Sequence, residues 1–167
     1  MSRTLARAGI MQVLYDMASN EDYSLDKVDL FLSMDHDPEE NEGLSTFLKN
    51  EKRKSMEVKE GRFLDSERAY IRQQVPLIVD HLEEVDQVIK RNLKNWSLGR
   101  LALVDLSIIR IACYEMMFEE DIPLPVSINE AVNLAKCYGS EDSSRFINGI
   151  LSSIVKDLEK DHETPED

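Results

Sequence analysis

The chain has few of the residues that build tight turns, disulfide frameworks or membrane spans. It contains six glycines, five prolines and two cysteines in 167 residues. So few turn formers argue against an all-β fold, and we expect Cys113 and Cys137 to be reduced thiols. The longest run without a charged residue, 146–155, has ten residues, well below the roughly 18 that a membrane span requires. We therefore expect a soluble, cytoplasmic protein.

Positive charge is scarce as well. Lys and Arg number 20 against 33 Asp and Glu, which gives a formal net charge of −13 at pH 7. Such a chain has no overall field that attracts nucleic acid or an anionic membrane, so any phosphate contact must come from a local cluster of cations. Hydrophobic residues make up 42% of the chain, which is too apolar for disorder. The length predicts one compact domain over residues 1–167.

Apolar residues at spacings of three and four are abundant, and no hairpin signal accompanies them. This pattern predicts an all-α fold. Residues 98–118 are apolar on nearly all sides, which predicts a helix at the centre of the domain. A proline inside a helix costs about 3 kcal/mol, so we expect a helix to end or kink at Pro76. Clustered charges at 34–62 predict a solvated inserted loop, with one short helix around 44–54.

The last third of the sequence carries the clearest helix signals. Ser127 and Glu130 have the spacing of a capping box, which predicts that a helix begins at Ser127. We expect Gly139 to end this helix in the left-handed conformation. Phe146 lies at the edge of the next apolar stripe, where its ring is either half exposed or part of the core rim. Gly149 costs a helix about 1 kcal/mol relative to Ala, and close helix packing or access of a ligand to the backbone would explain it equally well.

Motifs for catalysis and for metal binding are missing from the sequence. The three histidines have no metal-ligand spacing, and neither a glycine-rich phosphate loop nor a nucleophile motif is present. We therefore expect no metal, no cofactor and no catalytic residue, and favour an interaction protein. Lys136, Tyr138 and Arg145 group positive charge with an aromatic ring, the combination that single-stranded RNA binding requires.

Four blocks of sequence stand in a distinctive order and spacing: RLALVDLSIIRIACYE at 100–115, IP at 122–123, SINEAVNLAK at 127–136 and SRFING at 144–149. Together they resemble the NusB family of transcription antitermination factors. A weaker resemblance covers 3–15, where the family has an arginine-rich helix. The resemblance implies an all-helical fold of two packed helical subdomains. It also implies binding to the boxA element of ribosomal RNA leader transcripts, together with the ribosomal small-subunit protein NusE, in the RNA polymerase antitermination complex.

The resemblance further implies roles for individual residues. Arg3 and Arg7 match the arginine-rich start, and Phe146 matches a position near the RNA as the candidate stacking residue. Asp105 and Arg110 fall on the central helix that faces NusE. The predicted RNA-binding set is Arg3, Arg7, Lys136, Tyr138, Asp142, Arg145, Phe146 and Asn148. No catalytic residue is implied.

Two departures from the family and two alternative functions accompany this interpretation. Only two arginines precede Tyr15, so we expect RNA binding to be weak without NusE. Residues 34–62 have no counterpart in the family, and we favour a mobile loop over a source of extra phosphate contacts. A NusB-like domain also forms part of some ribosomal RNA cytosine methyltransferases, and a protein-only helical scaffold is a further alternative. Met1 and the acidic residues 157–167 are expected of a complete chain rather than of such an enzyme's fragment.

Overall fold

The computed structural model describes residues 3–34, 63–94 and 97–163. Within these ranges all regular structure is helical, which confirms the all-α prediction. None of these helices is both long enough and apolar enough to cross a membrane. Most of the predicted inserted loop, with its short helix, lies outside the described residues. The helices are α1 (Arg3–Asn20), α2 (Asp26–Ser33), α3 (Asp65–Asp80), α4 (Leu82–Arg91), a short 3-10 helix (Leu98–Arg100), α5 (Leu103–Phe118), α6 (Leu124–Tyr138) and α7 (Ser143–Glu163).

The chain divides into two compact units, Met1–Val79 and Asp80–Asp167. In the first unit, Gly9 of α1 lies close to Phe63, just before α3, and to Ile71 within α3. A Cβ at Gly9 would be 2.7 Å from Cδ1 of Ile71 and 2.9 Å from Cζ of Phe63. The ring of Phe63 also packs against that of Phe31 on α2, with centroids 6.0 Å apart. A glycine on α1 therefore allows these side chains to pack directly against the helix backbone.

Pro76 lies inside α3, which continues to Asp80. Of the predicted end or kink at Pro76, the end is therefore wrong, and the break between α3 and α4 comes at His81 instead. Proline removes one backbone hydrogen bond from the helix. Burial of one face of α3 outweighs that loss, since three apolar residues on that face are fully or almost fully buried: Ile71, Val75 and Ile78.

Helix α5 is the centre of the second unit, as its apolar circumference predicts. All its residues from 106 to 115 are buried, and it packs against α4, α6 and α7. Two charged residues in this run have internal partners. Arg110 donates two hydrogen bonds of 2.9 Å, one to each carboxylate oxygen of Asp86 on α4, and Glu115 accepts one of 2.8 Å from the hydroxyl of Ser127. These two buried groups are tolerated because Arg110 is paired with a carboxylate and Glu115 accepts a hydrogen bond.

The start of α6 differs from the prediction. The helix begins at Leu124, three residues before Ser127, with Pro123 as its N-cap and a proline in its first turn. A proline at the first helical positions loses no helical hydrogen bond and already has a helical φ, so it starts the helix there. Ser127 is buried, and its hydroxyl donates to Glu115 instead of capping α6. The capping-box prediction is therefore wrong.

The end of α6 is at Gly139, as predicted, but not in the predicted conformation. Gly139 has φ −89° and ψ −177°, which is extended backbone open to any residue. The reason for glycine is space: a Cβ there would lie 2.5 Å from Cβ of Ser143 and 2.8 Å from the carbonyl oxygen of Ala135. The left-handed prediction is wrong because the first residue of α7 folds back onto the end of α6.

Candidate nucleic-acid interface

The second unit contains an open cleft of about 310 Å³. Three segments line it: the end of the 3-10 helix with the residues after it, the first turn of α5, and the α6–α7 connection with the start of α7. The lining residues are Arg100, Leu101, Ala102, Asp105, Ser140, Asp142, Ser143 and Phe146. The structure thus brings together Asp105, Asp142 and Phe146, three of the residues that the sequence singles out.

The α6–α7 connection is a tight, hydrogen-bonded turn. The backbone N–H of Ser140 donates to Oγ of Ser143 (2.9 Å), and the N–H of Ser143 donates back to the carbonyl of Ser140 (3.1 Å). The N–H of Phe146 donates to the carbonyl of Asp142 (3.1 Å), which starts α7. These reciprocal bonds satisfy backbone groups at the helix start and hold Asp142 and Phe146 on a rigid support.

Phe146 is half-buried, which fits both predicted positions, a half-exposed ring and the rim of the core. Its neighbour Ile147 is fully buried and anchors the helix. Asn148 and Gly149 are exposed, and nothing in the described chain lies within 4 Å of a Cβ placed at Gly149. Close helix packing therefore does not explain this glycine, and the backbone of α7 is accessible beside Phe146.

Asp105 has an unusual environment in this cleft. Its Oδ1 is buried, and no hydrogen-bond partner for it exists among the described residues. The first turn of α5, where it lies, favours a carboxylate through the helix dipole. Leaving a buried acceptor unsatisfied nevertheless costs about 1–3 kcal/mol. Asp105 therefore adds to the cleft a carboxylate whose buried oxygen has no partner among the described residues.

Sequence reasoning missed Arg100 as a cleft residue. Arg100 is exposed at the end of the 3-10 helix and places a cation in a cleft that also contains Phe146, Asp105 and Asp142. Arg100 is the first residue of the 100–115 block, and this position was a signal in the sequence that could have identified it. Its proximity to Phe146 depends on the α6–α7 connection returning beside α5, which periodicity along one helix does not show.

The remaining predicted RNA-binding residues do not line the cleft. Lys136 and Arg145 are exposed and Tyr138 is half-buried, at the end of α6 and the start of α7. In the first unit Arg3 is exposed, whereas Arg7 is only 3% exposed. A buried guanidinium cannot reach an external phosphate, so the direct contact predicted for Arg7 needs revision.

The partner-facing role predicted for Arg110 needs the same revision. Arg110 is 5% exposed and forms a two-point ion pair with Asp86 inside its own unit. Its donors at Nε and one terminal nitrogen are used there. Sequence reasoning placed Arg110 on the central helix, but the packing of α4 against α5 directs its side chain inwards to Asp86.

Comparisons with known proteins identify one protein family. The sequence matches the NusB family over residues 4–156. It is 50% identical over 91 residues to transcription antitermination protein NusB of Bacillus licheniformis, covering 54% of this chain and 70% of that protein. The corresponding protein of Clostridium botulinum (strain Kyoto) is 52% identical over 86 residues, covering 52% of this chain and 60% of that protein.

Two solved structures share the fold. NusB from T. maritima has a TM-score of 0.69 at 29% identity, covering 93% of this chain and 92% of that one. A structure of the antitermination factors NusB and NusE in complex with dsRNA has a TM-score of 0.65 at 24% identity, covering 93% of this chain and 96% of the matched chain. At that identity the second likeness shows the fold alone.

Proposed function

Because this chain belongs to the NusB family, we propose that it is a transcription antitermination factor that binds boxA-type RNA of ribosomal RNA leader transcripts together with the ribosomal protein NusE. We place it in the cytoplasm, in the RNA polymerase antitermination complex. It acts there by binding, not by catalysis. The family relationship favours this function over a methyltransferase-linked domain and over a protein-only scaffold.

The observation that carries the proposal is the cleft of the second unit, which combines a half-buried aromatic ring with a cation. Phe146 offers a face on which a base of single-stranded RNA stacks, an interaction worth about 1–3 kcal/mol per base. Arg100 supplies donors for an adjacent phosphate, since guanidinium matches phosphate geometry. Asp142 lines the same cleft and Asn148 is exposed on α7, and we assign both polar side chains to contacts with the RNA.

The unsatisfied oxygen of Asp105 supports a second contact, with NusE. If the carboxylate of Asp105 turns into the cleft on binding, a basic or N–H donor of the partner pairs with it and removes the penalty of the buried, unpaired Oδ1. Binding of the partner is thereby favoured at the same cleft that binds RNA. Arg110 serves this contact indirectly, because its ion pair with Asp86 holds α5 against α4.

The supply of exposed cations limits the affinity for RNA. Arg3, Arg100, Lys136 and Arg145 are the exposed cations assigned to RNA here, with Tyr138 as an additional aromatic contact. Four phosphates neutralised on a single strand give a slope of log affinity against log salt of about −2.8. So few phosphate contacts supply little affinity on their own, and NusE is therefore needed for tight, sequence-selective binding.

The test compares Phe146→Leu with Phe118→Leu. Both changes replace a half-buried phenylalanine of the second unit by leucine, but Phe118 stacks on His81 with centroids 4.1 Å apart and does not line the cleft. With NusE present, we expect Phe146→Leu to weaken boxA RNA binding by about 5- to 150-fold, as loss of one stacked base requires. Phe118→Leu is expected to bind normally, and both melting temperatures are measured as controls.

Two results would count against the proposal. Equal affinity of the wild-type complex for boxA and for a scrambled RNA would overturn the function itself. Full affinity in Phe146→Leu would remove the stacking role.

The NusE contact is tested separately with Asp105→Ala, for which we expect heterodimer formation to weaken by about 2–5 kcal/mol if the new ion pair is buried. Unfolding of Asp105→Ala would show instead that Asp105 has a purely internal role.

A further inference from the structure

The first unit contains a cation–aromatic pair that joins α1 to α3. Cζ of Arg3 lies 5.4 Å from the ring centroid of Tyr70, within the roughly 6 Å over which such pairs attract. Arg3 is the exposed first residue of α1, and Tyr70 is half-buried on α3. The two residues are far apart in the sequence, and only the packing of α1 near α3 brings them together.

The charge of Arg3 remains available despite this contact. Among the described residues no carboxylate lies within ion-pair distance of Arg3. Arg72, two residues after Tyr70, differs in this respect because its Nε lies 3.6 Å from Oδ1 of Asp29. A guanidinium stacked on a ring keeps the N–H donors at its edge, so it still forms two-point hydrogen bonds to an anion.

The ring also limits the conformations of a long, flexible side chain. Free arginine loses considerable rotamer entropy when it binds a phosphate, and a side chain already restrained by stacking loses less. The restraint matters in this chain because α1 has only two arginines before Tyr15 and one of them, Arg7, is buried. Arg3 is then the arginine of α1 that is free to meet RNA.

We propose that Tyr70 is a positioning residue for RNA binding, whose ring holds the guanidinium of Arg3 in place for a phosphate of single-stranded RNA. This inference rests on the proposed function and deepens it, since it adds a residue of α3 that the sequence pattern does not indicate. Tyr70 acts through Arg3 and does not itself contact the nucleic acid.

The test measures binding of the complex with NusE to a fluorescent boxA oligonucleotide as a function of salt. We expect Tyr70→Leu to weaken binding by about 2- to 5-fold, the equivalent of an exposed cation–π contact. Tyr70→Phe keeps the ring and is expected to bind like the wild type. Arg3→Ala is expected to make the salt slope shallower by about 0.7, the value for one phosphate on a single strand. Arg72→Ala changes the net charge equally and is expected to leave the slope unchanged.

A double variant distinguishes positioning from direct contact. In the Arg3→Ala background, Tyr70→Leu is expected to have no further effect. A further loss there would mean that Tyr70 contacts RNA itself, and would overturn the positioning role. If Tyr70→Leu lowers the melting temperature strongly, Arg3→Lys replaces it: this variant keeps the charge but loses the planar group. For Arg3→Lys we expect an unchanged slope and weaker binding.

The remaining outcomes separate this inference from the function on which it rests. Normal binding by Tyr70→Leu, or by Arg3→Lys where that variant replaces it, would overturn the inference alone if the wild type still binds boxA selectively. Equal slope changes in Arg3→Ala and Arg72→Ala would overturn it as well, because net charge would then explain both. No selective binding by the wild type would overturn the proposed function and this inference together.

Discussion

The same methyl group added at two glycines of the second unit is expected to change stability in opposite directions. In Gly139→Ala the new Cβ would lie 2.5 Å from Cβ and 2.6 Å from Oγ of Ser143, and 2.8 Å from the carbonyl oxygen of Ala135. A Cβ and a backbone carbonyl cannot rotate away, so the helix ends themselves must shift. Overpacking of this kind costs about 1–3 kcal/mol.

In Gly149→Ala the new methyl group meets nothing in the described chain within 4 Å. Gly149 lies inside α7, where glycine costs roughly 0.5–1 kcal/mol relative to alanine. A change of 1 kcal/mol shifts the melting temperature of a domain of this size by about 2–4 °C. We therefore expect Gly139→Ala to melt roughly 2–12 °C lower than the wild type, and Gly149→Ala roughly 1–4 °C higher.

Thermal unfolding followed by circular dichroism measures both shifts, and Gly139→Asn separates the two explanations for Gly139. Asparagine tolerates the left-handed conformation, so it would be accepted if that conformation were the reason for glycine. Because Gly139 has φ −89°, we expect Gly139→Asn to be as unstable as Gly139→Ala. A stable Gly139→Asn, or shifts of the same sign in both alanine variants, would refute the steric reasoning. Weaker RNA binding by the stabilised Gly149→Ala would indicate contact with the exposed backbone of α7.

Three further predictions concern buried and paired groups. Asp86→Ala is expected to cost about 3–5 kcal/mol in urea unfolding, because it leaves Arg110 buried without its carboxylate; a cost below about 1 kcal/mol would contradict the pairing. Burial, with the charge of Asp86 adding to it, raises the pKa of Cys113 to about 12. Iodoacetamide at pH 8 is therefore expected to modify this thiol only after unfolding, and labelling of the native protein, detected by mass spectrometry, would contradict this. The hydrogen bond from Asn92 holds the pKa of Asp157 below its ordinary value of 3.8. This stabilisation is fully present above pH 3.8 and is lost as the pH falls through the lower pKa that Asp157 has in the folded state. The difference in unfolding free energy between wild type and Asp157→Asn is therefore expected to shrink only in that acid range. A difference that persists there would refute this explanation.

Local patterns in the sequence were sufficient for the all-α class and for the central position of α5. Each depends on which face of one helix is apolar, and burial follows that face directly. The same local logic placed the start of α6 at Ser127, which was wrong, and an end or kink at Pro76, where the helix does not end. Partners outside the local segment decided these points: Glu115 takes the hydroxyl of Ser127, and a buried face carries α3 through its proline.

Only the tertiary structure determined which side chains meet. It gave Gly139 a steric role, turned Arg110 inwards to Asp86, and brought Arg100 and Asp105 to the cleft of Phe146. The physical reason is that helical periodicity specifies which face of a helix is buried but not which helix covers it. Contacts between distant residues depend on how the helices pack together, and a single sequence does not contain that arrangement as a local pattern.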